Sequence, residues 1–128
     1  MADFGDSMGI SASGMRAQAM RMRIVSENVA NADTPGYHRK LVTFRPEDRD
    51  QPGAVEIGRV TLDPSEPERI LDPGHPLADA QGYRLSSNVE AVIEMADARE
   101  AQRSYEANLR MFDQARQMSA RLLELLRR

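Results

Sequence analysis

The stretch Asn88–Arg128, NVEAVIEMADAREAQRSYEANLRMFDQARQMSARLLELLRR, decides the fold. The last glycine of the chain is Gly82 and the last proline is Pro76, so no helix breaker follows Asn88. Apolar residues recur at steps of three and four, in two neighbouring rows. One row holds Met95, Ala98, Tyr105, Leu109, Phe112, Leu123 and Leu126; the other holds Ala101, Met111, Ala115, Met118, Leu122 and Leu125. Two adjacent rows make a broad apolar stripe on one amphipathic helix. At about 1.5 Å per residue such a helix is on the order of 60 Å long, where three or four turns are usual. A small globule cannot cover that length. The stripe therefore requires a partner helix, from elsewhere in the chain or from other chains. Ser86, Ser87 and Asn88 are the predicted N-cap residues, with Glu90 and Glu94 in the first turns where the helix dipole favours negative charge. Arg121, Arg127 and Arg128 sit at the opposite, cation-favouring end.

Composition narrows the function classes. The 128 residues allow one ordinary domain, or a small domain with a long appendage. Aromatic content is only 5%, which excludes a large aromatic core. The chain has no cysteine, so disulfides, thiolate metal sites and a cysteine nucleophile are excluded. The net charge of −3 argues against a general nucleic-acid binder, and no nucleic-acid partner is expected. Charge is zoned: residues 1–45 carry +2, residues 46–87 carry −5, and residues 88–128 balance. The N-terminus, Met-Ala-Asp-Phe-Gly-Asp, lacks the basic and apolar regions of a secretory signal, so no cleaved signal is expected. No apolar run approaches the eighteen or so residues of a membrane span, and membrane insertion is not expected.

Residues Met8–Ala32 carry a second helical pattern. Met8, Ser11, Met15, Gln18, Met22, Val25 and Val29 form one row, with Ala12 and Ala19 alongside and Arg16, Arg23 and Glu27 opposite. Methionine fills irregular gaps and tolerates several partners, and small residues admit close helix approach. Such a helix either docks on its own domain or is completed by the C-terminal helix and neighbouring subunits. Gly5, Gly9 and Gly14 weaken its first turns by about 1 kcal/mol each, so this end is expected to fray in the isolated subunit. Pro35 disfavours helix at Thr34 and so ends the pattern by Asp33, and Pro35-Gly36 fits a type II turn. Asn28 and Asn31, three apart, are placed to bond freed helix carbonyls or the turn backbone.

Between the two helices the pattern turns short and β-prone. Lys40–Phe44 is a predicted strand, ended by Pro46 and the Glu-Asp-Arg-Asp run; Val55–Leu62 alternates, with a predicted bulge at Gly58; Ile70-Leu71 is a weak third candidate. Asp72-Pro73-Gly74-His75-Pro76 is a predicted tight turn. Val89, Val92, Ile93 and Ala96, rotated from the later rows, are expected to pack on this β module. His38 and His75 are solvated turn neighbours, and the carboxylates of residues 47–79 are spread through loops without paired spacing. No catalytic constellation, metal cluster or phosphate-cradling loop is legible, so neither enzymatic activity nor a cofactor is expected.

Asn28-Val29-Ala30-Asn31-Ala32-Asp33-Thr34-Pro35-Gly36-Tyr37 resembles the N-terminal signature of the bacterial flagellar axial proteins, the rod, hook and hook-associated subunits. Ile10–Gln18 is similar to that family's opening helix. Asp72–Asp79, Gly82-Tyr83, Asn88-Val89-Glu90, Glu94-Met95 and Arg103–Asn108 resemble its proximal-rod branch. Ser87 stands where the family often has proline, and Asp33–Gly36 is short where it often has an insertion.

The architecture expected is mainly α with a small β excursion: an N-terminal helix within residues 1–33, a loop-rich region with short strands over 34–87, and a long helix over 88–128. The two helices pack as an antiparallel coiled-coil-like pair. The resemblance implies a structural subunit of the basal-body rod. It would be exported through the flagellar type III export apparatus without a cleaved signal, then assemble with other rod proteins and further copies of itself into the rod, the axle that crosses the periplasm. The assembly interface is assigned to Met15, Met22, Val25, Asn28, Val29, Asn31, Tyr105, Asn108, Leu109, Phe112, Leu123 and Leu126. The competing reading is a cytoplasmic helical adaptor or secretion chaperone, which would be stably dimeric by itself.

Overall fold

The computed structural model describes residues 4–47 and 52–127. Two long helices, α1 (Phe4–Ala30) and α2 (Ala91–Leu126), are joined by four short strands: β1 (Lys40–Pro46), β2 (Val55–Leu62), β3 (Arg69–Leu71) and β4 (Tyr83–Leu85). The helices run antiparallel. Asn28, near the end of α1, meets Glu94 at the start of α2; Arg21 meets Asp97, and Gly14 meets Asn108.

The seam between them is made of small side chains. Ser11, Gly14 and Ala17 are buried on α1, with Ile24, Val25 and Asn28 nearer its end; Glu94, Ala101 and Ala115 are buried on α2. The row Glu94, Ala101, Asn108, Ala115 advances by sevens, the repeat that keeps one helix face against a partner. The expected large residues of the apolar stripe are not at its centre. They stand on either shoulder, because small residues let the two backbones come together.

The β1–β2 hairpin lies on α1. Its register runs Lys40↔Leu62 and Val42↔Val60, then slips to Phe44↔Ile57, so Thr43 faces the extra residue of a bulge at Gly58-Arg59. The Val55 N–H donates to Ser13 Oγ at 3.0 Å, and Ile10 lies beneath the turn at Gly53. β3 pairs with β4, a strand the sequence pattern did not reveal. The connection opens with the expected tight turn, in which the His75 N–H donates to the Asp72 carbonyl at 3.1 Å.

The ends of both helices are tied to β1 by one polar joint. The Thr34–Tyr37 segment makes the type II turn, with Gly36 at φ 74 and the Tyr37 N–H donating to the Thr34 carbonyl at 3.1 Å. This returns the chain so that Asn28 clamps Lys40 at both backbone atoms. The Asn28 side-chain carbonyl, Oδ1, accepts the Lys40 N–H at 2.8 Å, and its side-chain amide donates to the Lys40 backbone carbonyl at 3.1 Å. The same carbonyl accepts the Tyr37 hydroxyl, and the amide also reaches Glu94 at 3.3 Å. Glu94 is 0% exposed, and Arg39 Nε donates to its second oxygen at 2.6 Å. Burial raises the Tyr37 phenol above its usual range. Outside the joint, Lys40 Nζ holds Glu27 at 2.8 Å and keeps its carboxyl below the usual carboxylate range.

Two expectations are corrected here. Ser87 and Asn88 do not cap α2: the N-cap is Glu90, without a side-chain cap bond. The Ser87 hydroxyl donates to the Ala32 carbonyl, while Asn88 accepts the Arg39 N–H at 2.6 Å and donates to the Asp63 and Ser65 carbonyls. Crossing bonds that hold the joint displace local capping. Val92 does not pack on the strands but is 79% exposed. Glu94 lies in the first turn of α2 as expected, and it is also the buried centre of the joint. Asp48–Asp50 of the predicted strand stop, and Arg128, lie outside the described residues.

Asp63 and Asp79 both have carboxyls held below the usual range. For Asp63 the Ser65 hydroxyl and N–H are the main cause; for Asp79 it is the Tyr83 N–H, helped by Gln81 and Arg69. A depressed carboxyl stabilises the fold above its unfolded pKa, about 4, and that stabilisation disappears as pH falls through the lower folded value. The stability of the purified subunit should therefore drop as pH falls below about 4, and Asp79→Asn should flatten that decline in urea unfolding at stepped pH.

Breaking a buried charge pair by removing one partner costs about 3–5 kcal/mol, whereas replacing both with apolar residues is often neutral. Arg39→Met alone should therefore lower the unfolding free energy by about that amount, and Arg39→Met with Glu94→Leu should recover most of it, read by urea titration.

Candidate assembly interface

Gly14 fixes how the helix surfaces are apportioned. It faces Asn108, and its neighbours Ser13 and Met15 project about 100° to either side of it. Ser13 points to the hairpin. Met15 therefore lies on the side away from it, in line with Met8, Met22 and Val29 at steps of seven. On α2, Ile93 lines a cleft with Ile24, Leu41 and Phe44 on the hairpin side. Helical geometry puts Tyr105, Leu109 and Phe112 on the other shoulder, beside the methionines.

The residues assigned from sequence thus fall into four places. Met15, Met22, Tyr105 and Phe112 are half-buried along the shoulder away from the hairpin, with Val29 and Leu109 exposed among them. Val25 and Asn28 are buried in the seam. Asn108 also lies on the seam, half-buried, its amide donating to the Ser104 carbonyl at 2.8 Å. The Asn31 side-chain amide donates to the Glu27 carbonyl at 2.8 Å, an oxygen that also accepts the Asn31 backbone N–H at 3.1 Å. Leu123 and Leu126 stand at the far end of α2, 61% and 74% exposed.

Among the described residues, no helix lies beside that far end. α1 begins at Phe4, which shares a groove of about 310 Å³ with Ile10, Met111 and Met118. α2 continues for two further turns, where Leu122, Leu123, Leu125 and Leu126 are all exposed. Each would contribute about 1.5–3 kcal/mol if fully buried.

Sequence reasoning missed Tyr37, Arg39, Asn88 and Glu94. The signal for Glu94 was present, since it stands seven residues before Ala101 on the seam row. Among the described residues no group of His, Asp and Glu could hold a metal ion, and no helix is long and apolar enough to cross a membrane.

Two family models match the chain, and both fall on the helix pair. "Flagella basal body rod protein" covers residues 8–38, and "Flagellar basal body rod FlgEFG protein C-terminal" covers residues 80–125. The flagellar basal-body rod protein FlgC of Agrobacterium fabrum is 44% identical, over 92% of this chain and 91% of its own length. The chain belongs to the FlgC family of flagellar basal-body rod proteins. The FlgC proteins of Aquifex aeolicus (37% identical, 97% of this chain and 98% of the relative) and Salmonella typhimurium (34%, 91% and 92%) agree. This FlgC-family chain is a structural subunit of the flagellar basal body, and the adaptor or chaperone reading is not favoured. Residues 39–79, including the whole β1–β2 hairpin, lie outside both family models.

The seam leaves no room at Gly14. A Cβ there would stand 2.6–2.8 Å from the amide group of Asn108, so that amide would have to swing off Ser104. Gly14→Val should lower stability by about 1–3 kcal/mol, as overpacking does, and Asn108→Ala in the same chain should restore much of the loss, measured as a double-mutant cycle in urea.

Proposed function

We propose that this FlgC-family subunit builds the rod by burying the uncovered apolar surfaces of its helix pair against other rod proteins and further copies of itself. The observation that carries this reading is the uncovered end of α2, where four leucines face solvent beyond the start of α1. A free subunit gains nothing from exposing them; an assembled one removes them from water. In this reading residues 1–33 and 88–128 form the axial core and residues 34–87 a small outer module. Met15, Met22, Val29, Tyr105, Leu109, Phe112, Leu123 and Leu126 meet neighbours, while Val25, Asn28, Asn31 and Asn108 set the pair that presents them. The subunit reaches the periplasmic part of the basal body through the flagellar type III export apparatus, with its N-terminus uncleaved. It works by packing and needs neither catalysis nor a cofactor.

A carboxylate on a buried seam opposes packing, because an unpaired charge is not buried cheaply. Leu123→Glu should leave the isolated subunit within about 0.5 kcal/mol of the parent, as exposed substitutions usually do, yet block rod completion. Arg110→Gln and Glu124→Gln, on the outward face of α2, should assemble normally. Electron microscopy of basal bodies with a motility assay reads the result, and complete rods carrying Leu123→Glu would remove the end of α2 from the interface.

A further inference from the structure

Leu122 extends the row Glu94, Ala101, Asn108, Ala115 by one more step of seven. Over the rest of α2 that row is what α1 covers. The uncovered turns are therefore a continuation of the α1–α2 seam, and they present it with large side chains. Inside the chain, the surface that satisfies this row is a side of α1 built from small residues, Ser11, Gly14 and Ala17. α1 carries a second side of the same character. Gly5, Ala12, Ala19 and Ser26 follow one another at steps of seven, next to the Met8, Met15 and Met22 strip, and turn away from α2. Gly5, Ala19 and Ser26 are exposed.

The chain cannot bring these two surfaces together by itself. Gly14 is level with Asn108, so Ala19, five residues on, is level with Arg103. Leu123 lies twenty residues further along α2, about 30 Å away.

We infer that the α2 overhang of one copy seats its leucines on the methionine and small-residue side of α1 in a neighbouring copy of this chain. The inference rests on the rod-subunit reading above and names the partner of its uncovered end. The small residues admit leucine as closely as the chain's own seam admits α2, and the flanking methionines adapt to its shape. Different surfaces meet, so each copy still offers the other half of the contact to the next one, and the contact can repeat from copy to copy. The overhang, residues 119–126, is only about 12 Å long, too short to approach the roughly 1,000 Å² of a stable isolated pair. The contact therefore belongs to copies already held in an assembly, and free subunits stay apart.

The chain has no cysteine, which makes cross-linking in assembled rods unambiguous. Ala19→Cys and Leu123→Cys should be carried on two separately tagged copies expressed together, and purified basal bodies oxidised. A disulfide-linked adduct containing both tags is expected, and none when Arg16→Cys, on the hairpin side of α1, replaces Ala19→Cys. As a second measurement, Ala19→Phe should leave the circular dichroism and urea midpoint of the free subunit unchanged but cause loss of completed rods. Normal rods without the 19–123 adduct would overturn the inference. So would Leu123→Cys adducts with a different rod protein alone, or normal rods with Ala19→Phe. If Leu123→Glu blocks rods while no 19–123 adduct forms, the rod-subunit reading stands and only this contact falls.

Discussion

The contact between Glu94 and Arg39, sealed by Asn28, is the constraint on which the arrangement of this chain depends. A carboxylate with no exposed surface is tolerated only when its charge is opposed and its oxygens are bonded, and both conditions are met. Meeting them requires three distant pieces of chain at one point: the end of α1, the first residues of β1 and the first turn of α2. The type II turn at Pro35-Gly36 delivers Arg39 to that point, and Asn88 holds the Arg39 backbone at 2.6 Å as the chain enters α2. The direction of both helices from the β module follows from this joint rather than from the length of their apolar stripes.

The helix pair divides its labour between small and large residues. Alanine, serine and glycine occupy the centre of the seam, where they permit close approach but bury little apolar area. Leucine, methionine and the aromatic side chains stand to either side, half-buried or exposed. The pair is thus held in register by shape and by its polar joint, while its large apolar side chains stay half-buried or exposed.

Much of this was legible in the sequence because it depends on local rules. The unbroken run after Gly82 announced α2, Pro35-Gly36 announced the turn, and Gly58 announced the bulge. The helix pair and the β excursion between its members followed from those signals. What escaped depends on partners far along the chain. Ser87 and Asn88 read as N-caps because capping is local, yet their side chains answer to Ala32, Arg39, Asp63 and Ser65. Glu94 read as a dipole charge because nothing near it in sequence reveals Arg39. β4 escaped because three residues, Tyr83–Leu85, are too short for any period to register. The apolar rows on α2 were recovered, but their centre was not, since a hydrophobic scale favours leucine and methionine over the alanines that set helix spacing.

The joint at Asn28 and Glu94 and the notch where Asn108 fills the space over Gly14 have a mechanical consequence. They lie fourteen residues apart on α1, about 21 Å. Two rods pinned at one point pivot, and two rods joined only by a greasy surface slide. Pinned at two separated points, they bend as one beam. To shear α1 along α2 by one residue would drive the Asn108 amide into the next side chain and pull Glu94 off Arg39 in the same movement. Axial or twisting load on such a pair passes into the helix backbones, where hydrogen bonds share it turn by turn, instead of being spent in slip along the seam.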